Sequence, residues 1–211
     1  ERGQERRTID LPLLLAEIKK ALPALNLKDD EAQPLLDELV ERSGLMIGLE
    51  GGLKYQFTHL TLQEFFAAQA LGDDYQGLLR RFTADPDAWR EVVKLWCGLE
   101  HDSTALLSEL YTLDRQTALE CLADAQKIDP ALAERLLDEF KTQILSGQPD
   151  QDLLRSMADL AADPRPRGQA LQQFLAKTAR DPAAIPEQVE TAAKVLALTN
   201  LPQVASLLVR L

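Results

Sequence analysis

Residues 55 to 71 read Tyr-Gln-Phe-Thr-His-Leu-Thr-Leu-Gln-Glu-Phe-Phe-Ala-Ala-Gln-Ala-Leu, a strand end running straight into an apolar helix. Thr61 and Glu64 have the spacing of a capping box, in which each side chain satisfies a backbone N–H of the other residue. Leu60 and Phe65 have the spacing of the matching hydrophobic staple. A helix entered through Thr61 places His59 two residues ahead of its start. Unpaired N–H groups and the positive end of the helix dipole make such a position a natural site for an anion.

Upstream, Leu11, Leu14, Leu15, Ile18 and Leu22 mark one face of a helix that opens at Asp10 with Pro12 in its first turn. Asp29-Asp30-Glu31 and Pro34 open a second helix, with Leu35, Leu36, Leu39 and Val40 as its buried stripe and Gly44 just past its end. Leu45 to Glu50 and Leu53 to Thr58 flank Gly51-Gly52, which predicts two strands joined by a two-residue glycine turn. Helix, helix, hairpin, helix is the layout of a winged-helix domain.

Beyond the break at Gly72-Asp73-Asp74 the pattern is helical throughout. Trp89, Val92, Val93, Trp96 and Cys97 form a stripe behind Asp85-Pro86, and Leu106, Leu107, Leu110 and Tyr111 form the next. Ala118, Leu119, Leu122 and Ala125 follow, and Asp129-Pro130 opens a helix facing Leu132, Leu136, Leu137, Phe140 and Ile144 inward. From Ser146-Gly147-Gln148-Pro149 onward the helices shorten, with stripes on Leu153 to Leu160, Leu171 to Thr178, Val189 to Leu196 and Val204 to Leu211. Asp163-Pro164 and Asp181-Pro182 lie in the connections, and short paired helices of this kind predict HEAT-like repeats. The expected fold is mainly α: a winged-helix domain over residues 1–72, a helical domain over 73–150 and HEAT-like helices over 151–211. The apolar end at Leu207 to Leu211 has no polar cap, so the repeats are expected to continue.

With 211 residues, 45% hydrophobic and 27% charged, the chain can bury a sizeable core. It opens on Glu1 and a charged run that is neither a signal nor a transit peptide, as expected of a piece of something longer. No apolar run reaches the roughly 20 residues of a membrane span, so a soluble, cytoplasmic protein without membrane partners is expected. Cys97 and Cys121 fall in apolar helical patterns and read as reduced core thiols. A net charge of −11 repels phosphate backbones. Arg80-Arg81 and Arg165-Pro166-Arg167 are small basic spots that read as solvated charge. In DNA-binding winged helices the helix before the wing reads the groove. Here it carries Asp37, Glu38 and Glu41 against Arg42 alone, so no specific DNA binding is expected.

A phosphate-cradling P-loop needs G-x-x-x-x-G-K-[ST], and no glycine here precedes a lysine. His59, His101, Cys97 and Cys121 lack metal-ligand spacing. Cys97 and His101 lie four apart on one helical face, but no third partner completes a catalytic set. No catalytic residue, no metal site and no enzymatic activity is expected of this chain alone.

Phe57, His59, Leu60, Thr61, Gln63, Glu64, Phe65, Ala67 and Ala68 match the F-x-H-L-T-x-Q-E-[FY]-x-A-A signature near the end of the winged helix in NACHT-type signalling ATPases. Glu41-Arg42-Ser43-Gly44-Leu45-Met46 resembles the R-S-G-L-[LI] entry to the hairpin in the bacterial members. Trp89-Arg90-Glu91-Val92 followed by Gly98-Leu99 is similar to a W-R-E-V segment beyond it, so the resemblance covers roughly residues 7 to 127. It implies a nucleotide-controlled switch with ADP or ATP and Mg bound by an upstream NTPase domain, and no cofactor in this piece. His59 would reach the β-phosphate of ADP and help hold the closed state. Implied partners are that NTPase domain and, through the helical repeats, a protein ligand or other subunits, with antiviral or stress signalling as the setting. The alternative is a free-standing helical adaptor that binds proteins without nucleotide.

Overall fold

The computed structural model describes residues 8–99, 101–146, 149–202 and 204. The opening Glu1 to Arg7, Gly147-Gln148 and the apolar end at Leu207, Leu208 and Leu211 lie outside the described residues. Among the described residues the chain is mainly helical, with eleven α-helices and one three-stranded antiparallel sheet. It divides into two compact units, one up to Phe66 and one from Ala67.

In the first unit, β1 (Ile9–Asp10) leads into α1 (Leu11–Ala21) and then α2 (Ala32–Asp37), followed by a wider π turn over Glu38–Arg42. The hairpin strands are β2 (Met46–Leu49) and β3 (Lys54–Phe57), and α3 (Leu60–Leu71) follows, the division between the units falling within it after Phe66. Met46 pairs with Phe57 and Gly48 with Tyr55, which turns Met46 and Tyr55 to the same face of the sheet. They close a core with Leu14, Ile18, Leu22, Ala32 and Leu36.

Two expectations about this sheet need correction. The turn is not a two-residue glycine turn, because the last paired residues are Leu49 and Lys54 and the connection spans Glu50 to Leu53. Glu50, Gly51 and Gly52 all take positive φ, at 51°, 70° and 88°, and this extra left-handed residue puts Leu53 in the turn with 65% of its surface exposed. The hairpin is also not alone. Ile9 pairs with Tyr55 and the Leu11 N–H donates to the Leu53 carbonyl at 2.9 Å, so the chain before α1 occupies the open edge of β3. Asp10 stands at the cap position of α1 but its side chain makes no capping bond.

The second unit stacks α4 (Tyr75–Ala84), α5 (Pro86–Gly98), α6 (Thr104–Leu113), α7 (Arg115–Asp124), α8 (Pro130–Ser146), α9 (Gln151–Ala162), α10 (Pro166–Thr178) and α11 (Pro186–Leu198). Helices α5, α7, α9 and α11 touch in succession, and α8 packs on α7, α10 and α11. The helix starts follow from side chains: Asp74, Asp114 and Asp150 each accept a bond from an N–H three residues on, the standard N-cap contact. One continuous apolar cluster runs from Ala68 to Val204 and includes Trp96, Leu107, Leu122, Phe140 and Leu171.

The turn between α9 and α10 is clamped to the end of α7. Arg165 Nη1 and Arg167 Nη2 both donate to the Ala125 carbonyl, about forty residues away in sequence, while both Nε atoms donate to the Asp163 carboxylate. Gly168 makes this closure possible, since a Cβ there would stand 2.2 Å from the Asp163 carbonyl oxygen. Cations at the negative end of α7 are favourable in themselves. Burial alone would push the Asp163 carboxyl up, but the Arg165 hydrogen bonds and the charges of Arg165 and Arg167 outweigh it and hold it below its usual range.

A carboxyl with a depressed folded pKa contributes stability above its unfolded pKa, about 4, and loses it as pH falls through the lower folded value. The stability difference between the wild type and Asp163→Asn should therefore be largest near about pH 6 and shrink towards about pH 2. A difference that stays constant in denaturant titrations across that range would show that the charge of Asp163 contributes nothing. Trp96 is 2% exposed and its Nε1 donates to the Gly72 carbonyl at 2.7 Å. Trp96→Ala should cost about 3 to 5 kcal/mol of unfolding free energy, and a loss below about 1 kcal/mol would contradict its place in the core.

Candidate functional site

The junction between β3 and α3 is built by the end of the ladder. The Thr58 N–H donates to the Leu45 carbonyl at 2.9 Å and the Thr58 hydroxyl donates to the Gly44 carbonyl, so the strand is held one residue past β3. Helix α3 begins immediately afterwards, at Leu60. The Leu62 and Gln63 N–H groups donate to the His59 carbonyl at 3.1 and 3.4 Å, which makes His59 the cap residue itself. The expected capping box is thereby corrected: Thr61 is the second helical residue and Glu64 the fifth, and Leu60 lies inside the helix instead of before it.

The shift moves His59 closer to the anion-favouring end of the helix than the sequence indicated. His59 is exposed, and no acidic residue lies in the first turn of α3. Chemically, an imidazole at a helix cap can donate to an oxyanion together with first-turn N–H groups. Beside it, Phe66 is 40% exposed and its ring lies 5.7 Å from those of both Phe57 and Phe65. Helix α3 is apolar around its circumference, yet among the described residues Ala68 is its only buried residue. A helix of that composition ordinarily sits inside protein on every side.

Cys97 and His101 do not share a helical face, because α5 ends at Gly98. His101 Nδ1 instead lies 2.7 Å from Asp73 Oδ1, and the imidazole stacks on Trp96 with ring centroids 4.7 Å apart. Asp73 is 28 residues away and follows Gly72, whose carbonyl takes the Trp96 N–H, so ring and carboxylate together tie two loops over one indole. Cys97 and Cys121 are buried free thiols, and burial pushes the Cys121 thiol well up, away from the reactive thiolate, with Cys97 beside it adding to the shift. The sequence contains no signal for the Asp73–His101 pair, since neither residue belongs to a periodic pattern.

Among the described residues there is no cluster of three or more His, Cys, Asp or Glu that could hold a metal ion. No helix among them is long and apolar enough to cross a membrane. Comparison of the chain with models of protein families, with curated proteins and with solved structures found no match.

The segment before the hairpin is acidic where a reading helix would be basic. Asp37, Glu38 and Glu41 are exposed or half-exposed, and Arg42 Nη1 is paired with Glu38 Oε1 at 2.6 Å. The chain should therefore show no sequence-selective binding to duplex DNA tighter than about 1 μM at physiological salt, the upper reach of non-specific contacts. Fluorescence anisotropy on a randomised duplex pool followed by selection would detect any preference, and a selected sequence of sub-micromolar affinity would overturn the expectation.

Proposed function

We propose that this chain is the regulatory portion of a NACHT-type, nucleotide-controlled signalling ATPase. Residues 1–72 form its winged helix, 73–150 its helical domain, and 151–211 the first HEAT-like repeats of a sensor. The observation that carries the reading is His59, an exposed imidazole at the cap of α3 directly after the hairpin, within a signature of nine matching positions. The apolar circumference of α3 and the exposed Phe66 support it, since both fit a helix covered by a further domain. In the contacts of the second unit, helices that meet their successors in a row support the repeat assignment.

On this reading the upstream NTPase domain supplies the P-loop, ADP or ATP and Mg. His59 donates to the β-phosphate of ADP, and the helical repeats engage a protein ligand or neighbouring subunits in a cytoplasmic bacterial defence or stress response. The chain contributes no catalytic residue of its own. Its part is to favour the closed state by one hydrogen bond that the open state lacks. A charge-assisted hydrogen bond contributes about 1.5 to 3 kcal/mol, and a bond made in only one of two states biases their equilibrium by that amount.

In the full-length protein, His59→Ala should weaken ADP retention and raise basal oligomerisation by about tenfold or more. The fold should barely change, since the side chain is exposed. Gln63→Ala, one turn on, should do much less. Unchanged ADP affinity and basal activity together with a lowered melting temperature would make His59 a structural cap. The absence of a P-loop upstream in the encoding gene would leave a helical adaptor that works without nucleotide.

A further inference from the structure

The two cysteines of the chain stand on helices that pack against each other. Cys97 lies in the last turn of α5 and Cys121 in α7, both fully buried in the same apolar cluster. The helices approach closely here. A Cβ on Gly98, the residue after Cys97, would stand 3.9 Å from the Asp124 Cβ, about one turn on from Cys121. The Cβ atoms of a disulfide are roughly 3.5–4.5 Å apart, so α5 and α7 meet at that spacing beside the two thiols. Their backbones are joined at the same place, since the Gln126 N–H donates to the Cys97 carbonyl at 3.1 Å.

What separates the two thiols is access. Cys121 sits within Thr117 to Leu122, all of them buried, and meets solvent only when α7 itself is uncovered. Burial and the neighbouring Cys97 push its thiol up, which keeps it out of the nucleophilic thiolate form. Cys97 is one residue from the end of its helix, where Gly98 is exposed and Leu99 half-buried. Helix ends open locally at far lower cost than the core. Opening one turn of α5 therefore uncovers Cys97 while Cys121 stays enclosed.

We propose that Cys97 and Cys121 are a peroxide-responsive pair, in which hydrogen peroxide modifies Cys97 when the last turn of α5 opens, and reclosure passes the oxidation on as a disulfide between α5 and α7. The Cys97 thiolate attacks one peroxide oxygen, the O–O bond breaks, and the hydroxide that leaves takes up a proton as water. The product is a sulfenic acid on Cys97. When the turn closes, the Cys121 sulfur attacks that of Cys97, the S–O bond breaks, and the departing hydroxide takes the Cys121 proton as water. Two thiols are oxidised to one disulfide while the peroxide is reduced to water. The fold supplies the second step by holding the sulfurs together, which makes it effectively unimolecular. The new bond closes a loop around the whole of α6 and fixes α5 to α7. This device is independent of the nucleotide reading.

The test treats the full chain with hydrogen peroxide and reads the cysteines by mass spectrometry after digestion, with dimedone added in parallel samples to trap sulfenic acid. The wild type should gain an intramolecular Cys97–Cys121 cross-link. Its melting temperature should rise by about 5 °C or more and return when a thiol reductant is added. Cys121→Ala, which lacks the second thiol, should carry dimedone on Cys97, whereas Cys97→Ala should leave Cys121 unlabelled. No cross-link in the wild type, a cross-link between molecules, or cross-linking no faster than global unfolding measured by proteolysis would overturn the proposal. Labelling of Cys121 in Cys97→Ala as strong as that of Cys97 in Cys121→Ala would do the same, and the wild-type results stand whether or not either variant folds.

Discussion

The second unit depends on one buried charge. Thr117 to Leu122 are all buried, so α7 is enclosed on every side, and Glu120 within it is 2% exposed. An unpaired carboxylate there would cost several kcal/mol. Arg90 on α5 removes that cost with two bonds, Nε to Oε2 at 3.0 Å and Nη2 to Oε1, and Gln116 adds a contact before reaching on to Asp150 at the start of α9. The polar chain thus links α5, α7 and α9, the same helices that share the apolar core. Hydrophobic packing alone would let these helices slide against one another. A charge that must meet its partner fixes their register.

That arrangement also shows why the helical part was legible and its centre was not. The stripes on α5, α8, α9 and α10 point inward as their spacing requires, with Trp96, Phe140, Met157 and Leu171 at 2% exposure or less. For α7 the sequence reveals only Ala118, Leu119, Leu122 and Ala125, one face of a helix that is buried all round. Gln116, Thr117 and Glu120 disguise the other faces, because a buried polar residue looks like a solvated one until its partner is known. Arg90 is thirty residues distant, and periodicity carries no information over such a span.

In the first unit the misreadings are local and share a cause. Thr61 and Glu64 carry the capping signal, but tertiary hydrogen bonds decide where the helix begins. Once Thr58 is held by the Gly44 and Leu45 carbonyls, only His59 remains to turn the chain, so α3 starts at Leu60 whatever the propensity of Thr61. The hairpin follows the same logic. Gly51-Gly52 marks the turn correctly, but the pairing of Leu49 with Lys54 sets its length, and the Lys54–Glu50 ion pair at 3.0 Å lies across it. The two-residue strand at Ile9 was not legible at all, since nothing in so short a segment has a period. His59 moves from two residues ahead of the helix to its cap, yet stays at the junction, because a strand is followed there at once by a helix.

Arg165-Pro166-Arg167 illustrates the opposite failure, in which a short motif reads as bland because its context is remote. Two arginines in a Pro-rich turn of an acidic chain look like solvated charge. In the structure they reach the Ala125 carbonyl, and Arg167 retains only 11% of its side-chain exposure. One guanidinium would suffice to cap the end of α7. A second one close by is opposed by burial and by its neighbour's charge, which together lower the Arg167 pKa. Asp163, and Asp124 at longer range, recover part of that cost. Local rules therefore account for the turn itself, while the reach of both arginines to the Ala125 carbonyl depends on α7 packing against α9, which no short motif records.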